Sequence, residues 1–303
     1  MAGILWRYIM SYLRITNKFD VLITHSTKFH ADDVFSTAFL KMINPNAKVI
    51  RTLNSYEESC KALESNLYPI VYDIGFGNYD HHQKDAEVRP NGVKYAAFGL
   101  LWREFGDWDK YPDFDKDFVQ KIDEHDNGGE PFEISRMIGR FNPTILEDEE
   151  ELEGVPQNVK EDLYFNKAVS VATEILKGYF AMYDEIRYSK DIVEKGTDLF
   201  STTSPYNVLI LPKYCNYIKH VLEMYPMVNV VVYPSKRGRY NAQVMPISDG
   251  VMTSKWTFPE EYCGKREADL PEDVTFVHNS GFLLAANTIQ TAVKYARLVV
   301  EKK

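Results

Sequence analysis

The sequence predicts an α/β protein of two domains, the first built on a mainly parallel sheet and the second a smaller α/β unit. Three observations lead there. Short apolar runs of strand length alternate with helix-length segments over the first hundred residues, strand-rich patterning returns after residue 206, and a Ser- and Thr-rich stretch closing on Pro205 lies between. A chain of 303 residues also exceeds what one compact domain usually holds. The expected organisation is an N-terminal extension over 1–19, a first domain over 20–195, a linker over 196–205 and a second domain over 206–303.

In chain order, a strand over 21–24 leads into a helix over 31–42, and a strand over 49–52 into a helix over 56–65. The apolar run Ile70-Val71-Tyr72 is a third strand, ending in the turn chemistry of Asp73-Ile74-Gly75-Phe76-Gly77-Asn78. A βαβαβ series favours parallel pairing, because each helix carries the chain back across a face of the sheet, and it places ligands at the carboxyl ends of the strands. His25 and Asp73 each follow such an end. Helices are expected over 94–104 and 115–125, the second with Phe118, Val119 and Ile122 at helical spacing and a stop at Asn127-Gly128-Gly129. A long helical stretch follows over 158–195. Beyond the linker, strands at 207–211, 228–233, 240–245 and 275–277, a hairpin turn at Arg237-Gly238 and a terminal helix over 286–300 make up the second domain.

Composition narrows the function. No run of about 18 apolar residues occurs, so no conventional membrane span is expected. Cys60, Cys215 and Cys263 lie far apart, which gives neither a disulfide framework nor a zinc knuckle and fits a reducing, cytoplasmic setting. Residues 1–19 hold Arg7, Arg14 and Lys18, no acid, and the apolar Leu5, Trp6, Ile9 and Leu13; they read as a plain extension or, alternatively, as a mitochondrial presequence. The net charge of −9 argues against a protein that coats duplex DNA through many phosphate contacts. The acidity is uneven: residues 201–303 hold 12 Lys and Arg against 9 Asp and Glu, net +3, and residues 1–200 hold 23 against 35, net −12. An acidic half suits metal ions and a mildly basic half an anionic substrate, although scattered surface charge gives the same sums.

Five of the seven histidines fall between positions 25 and 125, four of them in two tight motifs beside acids. The first is Thr24-His25-Ser26-Thr27-Lys28-Phe29-His30-Ala31-Asp32-Asp33; the second is Asp80-His81-His82-Gln83. His30 and Asp32, two apart, do not share a helical face, but at a strand-to-helix turn both can bend toward one ion. Consecutive polar residues after a Gly-rich turn are costly to bury unless something is bound. Taken singly, a His-rich tetrapeptide is often surface decoration, a lone Asp after a strand is often a helix cap, and Asp126-Asn127-Gly128 reads as a turn. Together, four metal-competent motifs each follow an element boundary within one α/β half, and a site is the economical explanation.

The motifs THSTKFHADDVF at 24–35, VYDIG at 71–75, YDHHQ at 79–83, IDEHDNG at 122–128 and FVHNSGF at 276–282 resemble, in order, those of the DHH phosphoesterase superfamily, which includes the RecJ nucleases and family II inorganic pyrophosphatases. They resemble still more closely those of the Myg exonuclease family of metal-dependent hydrolases. The resemblance implies a DHH-type first domain, with the active site in the cleft between the two domains. It also implies one metal held by His25, His30 and Asp73 and another held by Asp32, Asp73, His81 and Asp126, Asp73 bridging. Many eukaryotic members have Gly-Thr in place of Thr27-Lys28 and Cys-Asp-Glu in place of Ala31-Asp32-Asp33; the ligands survive these departures, while Lys28 changes the phosphate contacts. Asp80 and Asp123 then orient ligands, Asp33 is an acid of a helix first turn and His125 a bystander. The cofactor implied is a pair of divalent ions, Mn2+ first and Mg2+ or Co2+ as alternatives, because carboxylates mixed with imidazoles suit such ions better than thiolate-loving ones. Two such ions activate a hydroxide and neutralise the phosphate in the transition state. His82 contacts the phosphate or the leaving oxygen or, on the plainer reading, only partners Asp80.

In the C-terminal half, His278-Asn279-Ser280-Gly281-Phe282 is expected between a strand and a helix, where backbone N–H groups face an anion. A plain capped turn is the alternative. DHH relatives close a glycine-containing loop over the metals, which makes His278, Ser280 and Gly281 the substrate-side candidates. Lys236, Arg237 and Arg239 read equally as a hairpin tip and as a phosphate track. The expected activity is that of a metal-dependent phosphodiesterase, with single-stranded nucleic acid, RNA before DNA, cut from the 3′ end as the substrate implied by the resemblance. A hydrolase of pyrophosphate, a nucleotide or a short oligonucleotide needs the same metal chemistry and is the close alternative. A non-catalytic metal-binding scaffold is the rival of another class. The sequence assigns no oligomeric state.

Overall fold

The computed structural model describes residues 19–149, 156–200 and 207–302. Apart from Phe19, the expected N-terminal extension lies outside the described residues, as do positions 201–205 of the expected linker. The chain divides into two compact units, 1–180 and 181–303, the division falling inside a 44-residue helix that spans Gln157–Phe200. No described helix is long and apolar enough to cross a membrane.

The first unit opens with Val21–His25 (β1), Ala31–Ile43 (α1), Lys48–Thr52 (β2), Ser55–Glu64 (α2) and Pro69–Val71 (β3). The strands pair in parallel in the order β2-β1-β3, with Val21 of the central strand opposite both Lys48 and Pro69. Val21, Leu22 and Ile23 are buried, as a central parallel strand requires. Twelve of the thirteen residues of α1 are buried too, Lys41 being the exception, and the helix therefore carries Asp32 and Asp33 into the interior. Ala97–Phe105 (α3) follows, then a π-helical turn over Asp115–Val119 that runs into Gln120–Asp126 (α4), then Glu133–Gly139 (α5), Ile145–Glu149 (α6) and Gln157–Phe200 (α7). Phe35 of α1, Phe98 and Trp102 of α3, and Phe114 and Phe118 interlock, with ring centroids 4.7–5.9 Å apart in the closer pairs. Such pairs add about 0.5–1.5 kcal/mol each beyond the area they bury. They fix α1 and α3 against the segment that leads into α4, and so fix the ends that bear Asp32 and Asp126.

The second unit contains Val208–Ile210 (β4), Ile218–Met224 (α8), Val230–Pro234 (β5), Tyr240–Val244 (β6), Trp256–Thr257 (β7), Val274–Val277 (β8), Leu283–Ala286 (β9), Ile289–Ala296 (α9) and Val300–Glu301 (β10). A five-stranded sheet runs β4-β5-β6-β9-β8; β4 and β5 are parallel and the other neighbours antiparallel, while β7 and β10 form a separate ribbon. Alternate residues of β5 feed two apolar clusters: Val230 and Val232 pack with Ala292 and Tyr295 of α9, and Val231 and Tyr233 with Ile192 and Val193 of α7. Both faces of this mixed sheet are therefore covered.

Two sequence expectations change here. His278–Phe282 is the turn between β8 and β9, not a strand-to-helix connection. The four-residue apolar run of β9 has no alternation to mark it as a strand, and the following helix starts only after Thr288, whose side chain caps it by accepting from Thr291 N. That helix also ends at Ala296, and Val300–Glu301 pairs with β7.

Candidate metal centre

His25 is the last residue of β1, and Asp73 stands just beyond β3 with φ +54, a left-handed conformation rarely adopted outside glycine. Strain of this kind persists only where surrounding structure enforces it. Here Asp73 N–H donates to Tyr79 O at 2.9 Å, closing the 73–79 segment into a loop that delivers Asp80, His81 and His82 beside Asp73. Asp80 organises that loop: its carboxylate accepts from Phe76 N (2.6 Å), His81 N (2.8 Å) and His82 N (3.2 Å) and lies 2.6 Å from His82 Nδ1. Asp126, at the end of α4, completes the set.

Two donor groups share Asp73. Its Oδ2 lies 3.2 Å from His25 Nε2, which is 3.4 Å from Asp33 Oδ2; its Oδ1 lies 3.3 Å from His81 Nε2, which is 3.2 Å from Asp126 Oδ2. Asp32, His81 and Asp126 present donor atoms within 4.8 Å of one another, as do His25, Asp33 and Asp73, and also Asp73, His81 and His82. Among the described residues, Asp33 Oδ2, Asp73 Oδ1 and His81 Nε2 are buried without a hydrogen-bond partner. Donors at right angles around a small divalent ion stand about 3 Å apart. The residues present therefore fit a metal centre.

The charges by themselves oppose one another. Burial, reinforced by Asp73, Asp126 and Asp123, pushes Asp32 well above the usual carboxylate range, and burial raises Asp33 to about 7. Burial opposes the Asp73 anion as well, but His25 and His81 outweigh it and hold Asp73 at about 2. Burial also works against both imidazolium ions; even so, Asp73 and Asp33 raise His25 to about 9, and Asp126, Asp73 and Asp32 raise His81 to about 11. A divalent cation would relieve the crowded carboxylates.

Backbone and buried charge hold the carboxylates of this region from behind. Asp32 accepts from Ala97 N (2.9 Å) and Phe98 N (2.7 Å) at the start of α3, and Asp123 accepts from Gly99 N (3.0 Å). Asp123 also meets Arg89 Nη1 at 2.7 Å, and Arg89 Nη2 meets Asp115 at 2.9 Å.

His30 stands apart from the three donor groups: it is exposed at the N-cap of α1, its ring 6.1 Å from that of His25. Asp33 serves two roles with separate oxygens, Oδ1 accepting His30 N–H at 2.8 Å as a first-turn acid while Oδ2 faces His25. An acid within a helix flanked by Val34, Phe35 and Ala38 is the signal that could have marked Asp33 as buried. Lys28, His30, His81, His82, His125 and Asp126 line a cavity of about 610 Å³. The remaining candidates belong to the second unit. His278 Nδ1 accepts from Ser280 N at 3.2 Å and lies 2.9 Å from its Oγ. Gly281 has φ +66, and a Cβ there would collide with Thr257 Oγ1. Lys236 and Arg237 sit at the β5–β6 turn, and Arg239 pairs with Glu267 at 3.1 Å. Arg89 and Asn142 have no motif around them and were not foreseen.

The family model MYG1_exonuc, described as Uncharacterised protein family (UPF0160), matches residues 21–108 and 110–300. Among similar proteins, the MYG1 protein of Dictyostelium discoideum is 24% identical over 327 residues, covering 91% of this chain and 94% of its own length. The MYG1 protein C27H6.8 of Caenorhabditis elegans is 22% identical over 331 residues, covering 92% and 94%. No solved structure matches the chain. The matched residues take in every donor from His25 to Asp126 and the His278–Gly281 turn, and the chain belongs to the MYG1_exonuc family (UPF0160).

Proposed function

We propose that the chain is a divalent-metal-dependent phosphodiesterase that shortens single-stranded nucleic acid, RNA before DNA, from its 3′ end. The observation that carries this reading is the pair of donor groups joined through the two oxygens of Asp73. The exonuclease in the family's name supports the choice of substrate class. His25, Asp33 and Asp73 would hold one ion, with His30 as the ligand that the resemblance adds; Asp32, Asp73, His81 and Asp126 would hold the other. Two divalent ions there, Mn2+ first, would supply Lewis acidity and neutralise phosphate charge.

The chain's own residues bind and orient. Asp80 engages Nδ1 of His82 and leaves Nε2 for a phosphate or leaving oxygen. Lys28 adds positive charge at the cavity. The DHH-type architecture belongs to the same proposal, as does a substrate-binding role for His278, Ser280, Gly281, Lys236, Arg237 and Arg239 of the second unit.

The test is to incubate the purified protein and Mn2+ with end-labelled RNA and DNA single strands, pyrophosphate and short oligonucleotides in parallel. Release of mononucleotides from the 3′ end of RNA, lost in His81→Ala, is the expected result. Turnover of pyrophosphate alone would replace the nuclease by a small-molecule hydrolase. Metal binding without any turnover would leave a scaffold.

A further inference from the structure

One wall of the cavity beside the metal donors is built by α5. Ser135 and Arg136 line it together with Lys28, His82 and Asp126. Ser135 is 3% exposed, and its hydroxyl has no hydrogen-bond partner among the described residues. Ser59, Ser170 and Ser189, also in helices, turn their hydroxyls onto the carbonyl four residues back at 2.7–2.8 Å. For Ser135 that position is Pro131, which precedes the helix. Leaving a buried hydroxyl without a partner is costly, so a donor kept in that state at a cavity wall suits an acceptor supplied by a ligand. Arg136 lies next to it, with 53% of its side chain exposed and Glu133, its nearest acid among the described residues, at 3.9 Å, beyond hydrogen-bond reach.

The wall is also held in place relative to Lys28. Phe132 N–H donates to His125 Nδ1 at 3.2 Å at the entry to α5. Beyond its end, Asn142 accepts from Phe29 N at 3.0 Å and donates to Phe29 O at 2.8 Å, tying α5 to the loop that bears Lys28. A hydroxyl donor, a guanidinium fork and an ammonium group match the several acceptor oxygens and the charge of a phosphate.

We propose that Ser135 and Arg136, with Lys28, form a second anion subsite that takes a phosphate of the strand adjacent to the scissile one. This rests on the phosphodiesterase reading and deepens it: a ligand with a single phosphate is held at the metal donors alone, whereas a strand engages both places. The subsite thereby favours substrates with at least two phosphates.

The test uses the full chain with Mn2+ and two probes, measured by calorimetry. One is inorganic phosphate; the other is a 5′-phosphorylated dinucleotide whose 3′ bridging oxygen is replaced by methylene, which keeps the charge and blocks cleavage. The parent is expected to bind the dinucleotide more tightly than phosphate. Arg136→Ala should weaken dinucleotide binding about tenfold and Ser135→Ala about fivefold, with inorganic phosphate unchanged within about twofold. Ser135→Ala should not lower the melting temperature, because it removes a buried group that has no partner; a purely structural serine would show the opposite. Unchanged dinucleotide affinity in both variants overturns the subsite, and so does a parallel loss for both probes. Cleavage of the unmodified dinucleotide by the parent is scored separately: if it fails while the two variants still lose dinucleotide affinity, the hydrolase reading falls and the subsite stands.

Discussion

Arg89 lies inside the first unit with a side chain 4% exposed, its terminal nitrogens 2.9 Å from Asp115 and 2.7 Å from Asp123 and its guanidinium 3.9 Å from the centre of the Tyr95 ring. Arg89→Met keeps the bulk of the stem and removes the charge. The Asp115 and Asp123 side chains are 8% and 0% exposed, so the small values typical of surface pairs do not apply. Removing one partner of a buried set costs about 3–5 kcal/mol. Burial already raises Asp123 to about 7 even though Arg89 pulls it back. A carboxyl whose folded value lies above its unfolded value contributes stability that is fully present below about pH 4 and is lost as pH rises through the folded value. Without Arg89 that folded value climbs further, so the gap between variant and parent should be small near pH 4 and widen through neutrality. At about 2–4 °C per kcal/mol for a unit of this size, the variant should melt about 10 °C lower at pH 8. Thermal melts of metal-free protein at both pH values, followed by circular dichroism, read this directly. A loss under about 1 kcal/mol at pH 8, as for an exposed pair, or a loss independent of pH, would refute the reasoning.

Asp33→Asn should weaken Mn2+ binding about 10–100-fold and more than His30→Ala does, because Asp33 Oδ2 faces His25 at 3.4 Å while His30 is exposed at the helix cap. The reverse order in a metal titration would restore the ligand set that the motifs imply. Mn2+ binding at neutral pH should release protons, since His25 and His81 sit at about 9 and 11 and must be neutral to ligate. Affinity should therefore climb from about pH 6.5 to 9, and calorimetry in two buffers of different ionisation enthalpy should give a net release; no release would mean that these imidazoles do not ligate. The same shift in His25 stabilises the metal-free fold fully below about pH 6.5, and that stability is lost as pH rises through about 9. Neutralising Lys236 and Arg237 should flatten the salt dependence of single-strand affinity by about 0.7 per lost contact, while Arg239, engaged with Glu267, contributes less. Fluorescence anisotropy of His82→Ala protein across a salt series measures the slope, and an unchanged slope would take this turn off the path of the strand.

The first three strands and two helices fall within one or two residues of where apolar periodicity puts them. Val21-Leu22-Ile23 of β1 and eight of the thirteen residues of α1 are apolar, and polar turns mark the ends of both elements, so pattern and structure coincide. Periodicity fails for α5 and α8, each seven residues long. In α5 only Ser135 and Ile138 are buried, too few to trace an apolar face. Within the site, motif order places His25, Asp32, Asp73, His81 and Asp126 at element boundaries, where the fold brings their donor atoms together. Which of His30 and Asp33 turns inward depends on the rotation of the first turn of α1, and spacing near a helix cap does not encode that rotation. Arg89 was invisible for another reason: its acids lie 26 and 34 residues further along the chain, with no local pattern to connect them.

The start of α3 gives its support through main-chain groups, since the N–H groups of Ala97, Phe98 and Gly99 hold the carboxylates of Asp32 and Asp123. Only proline abolishes such a donor, so a side-chain change reaches it solely by displacing the backbone. The limit on this segment is accordingly one of size: Ala96 and Ala97 are wholly buried, and a methyl group added at Gly99 would run into Asp123 Oδ2. Gly99→Ala would thus injure the candidate metal centre although neither residue carries a polar side chain. A search for the site's supports confined to acids, histidines and cations passes over Ala96, Ala97 and Gly99, whose small size lets the helix end reach the carboxylates, and the apolar Phe98 between them.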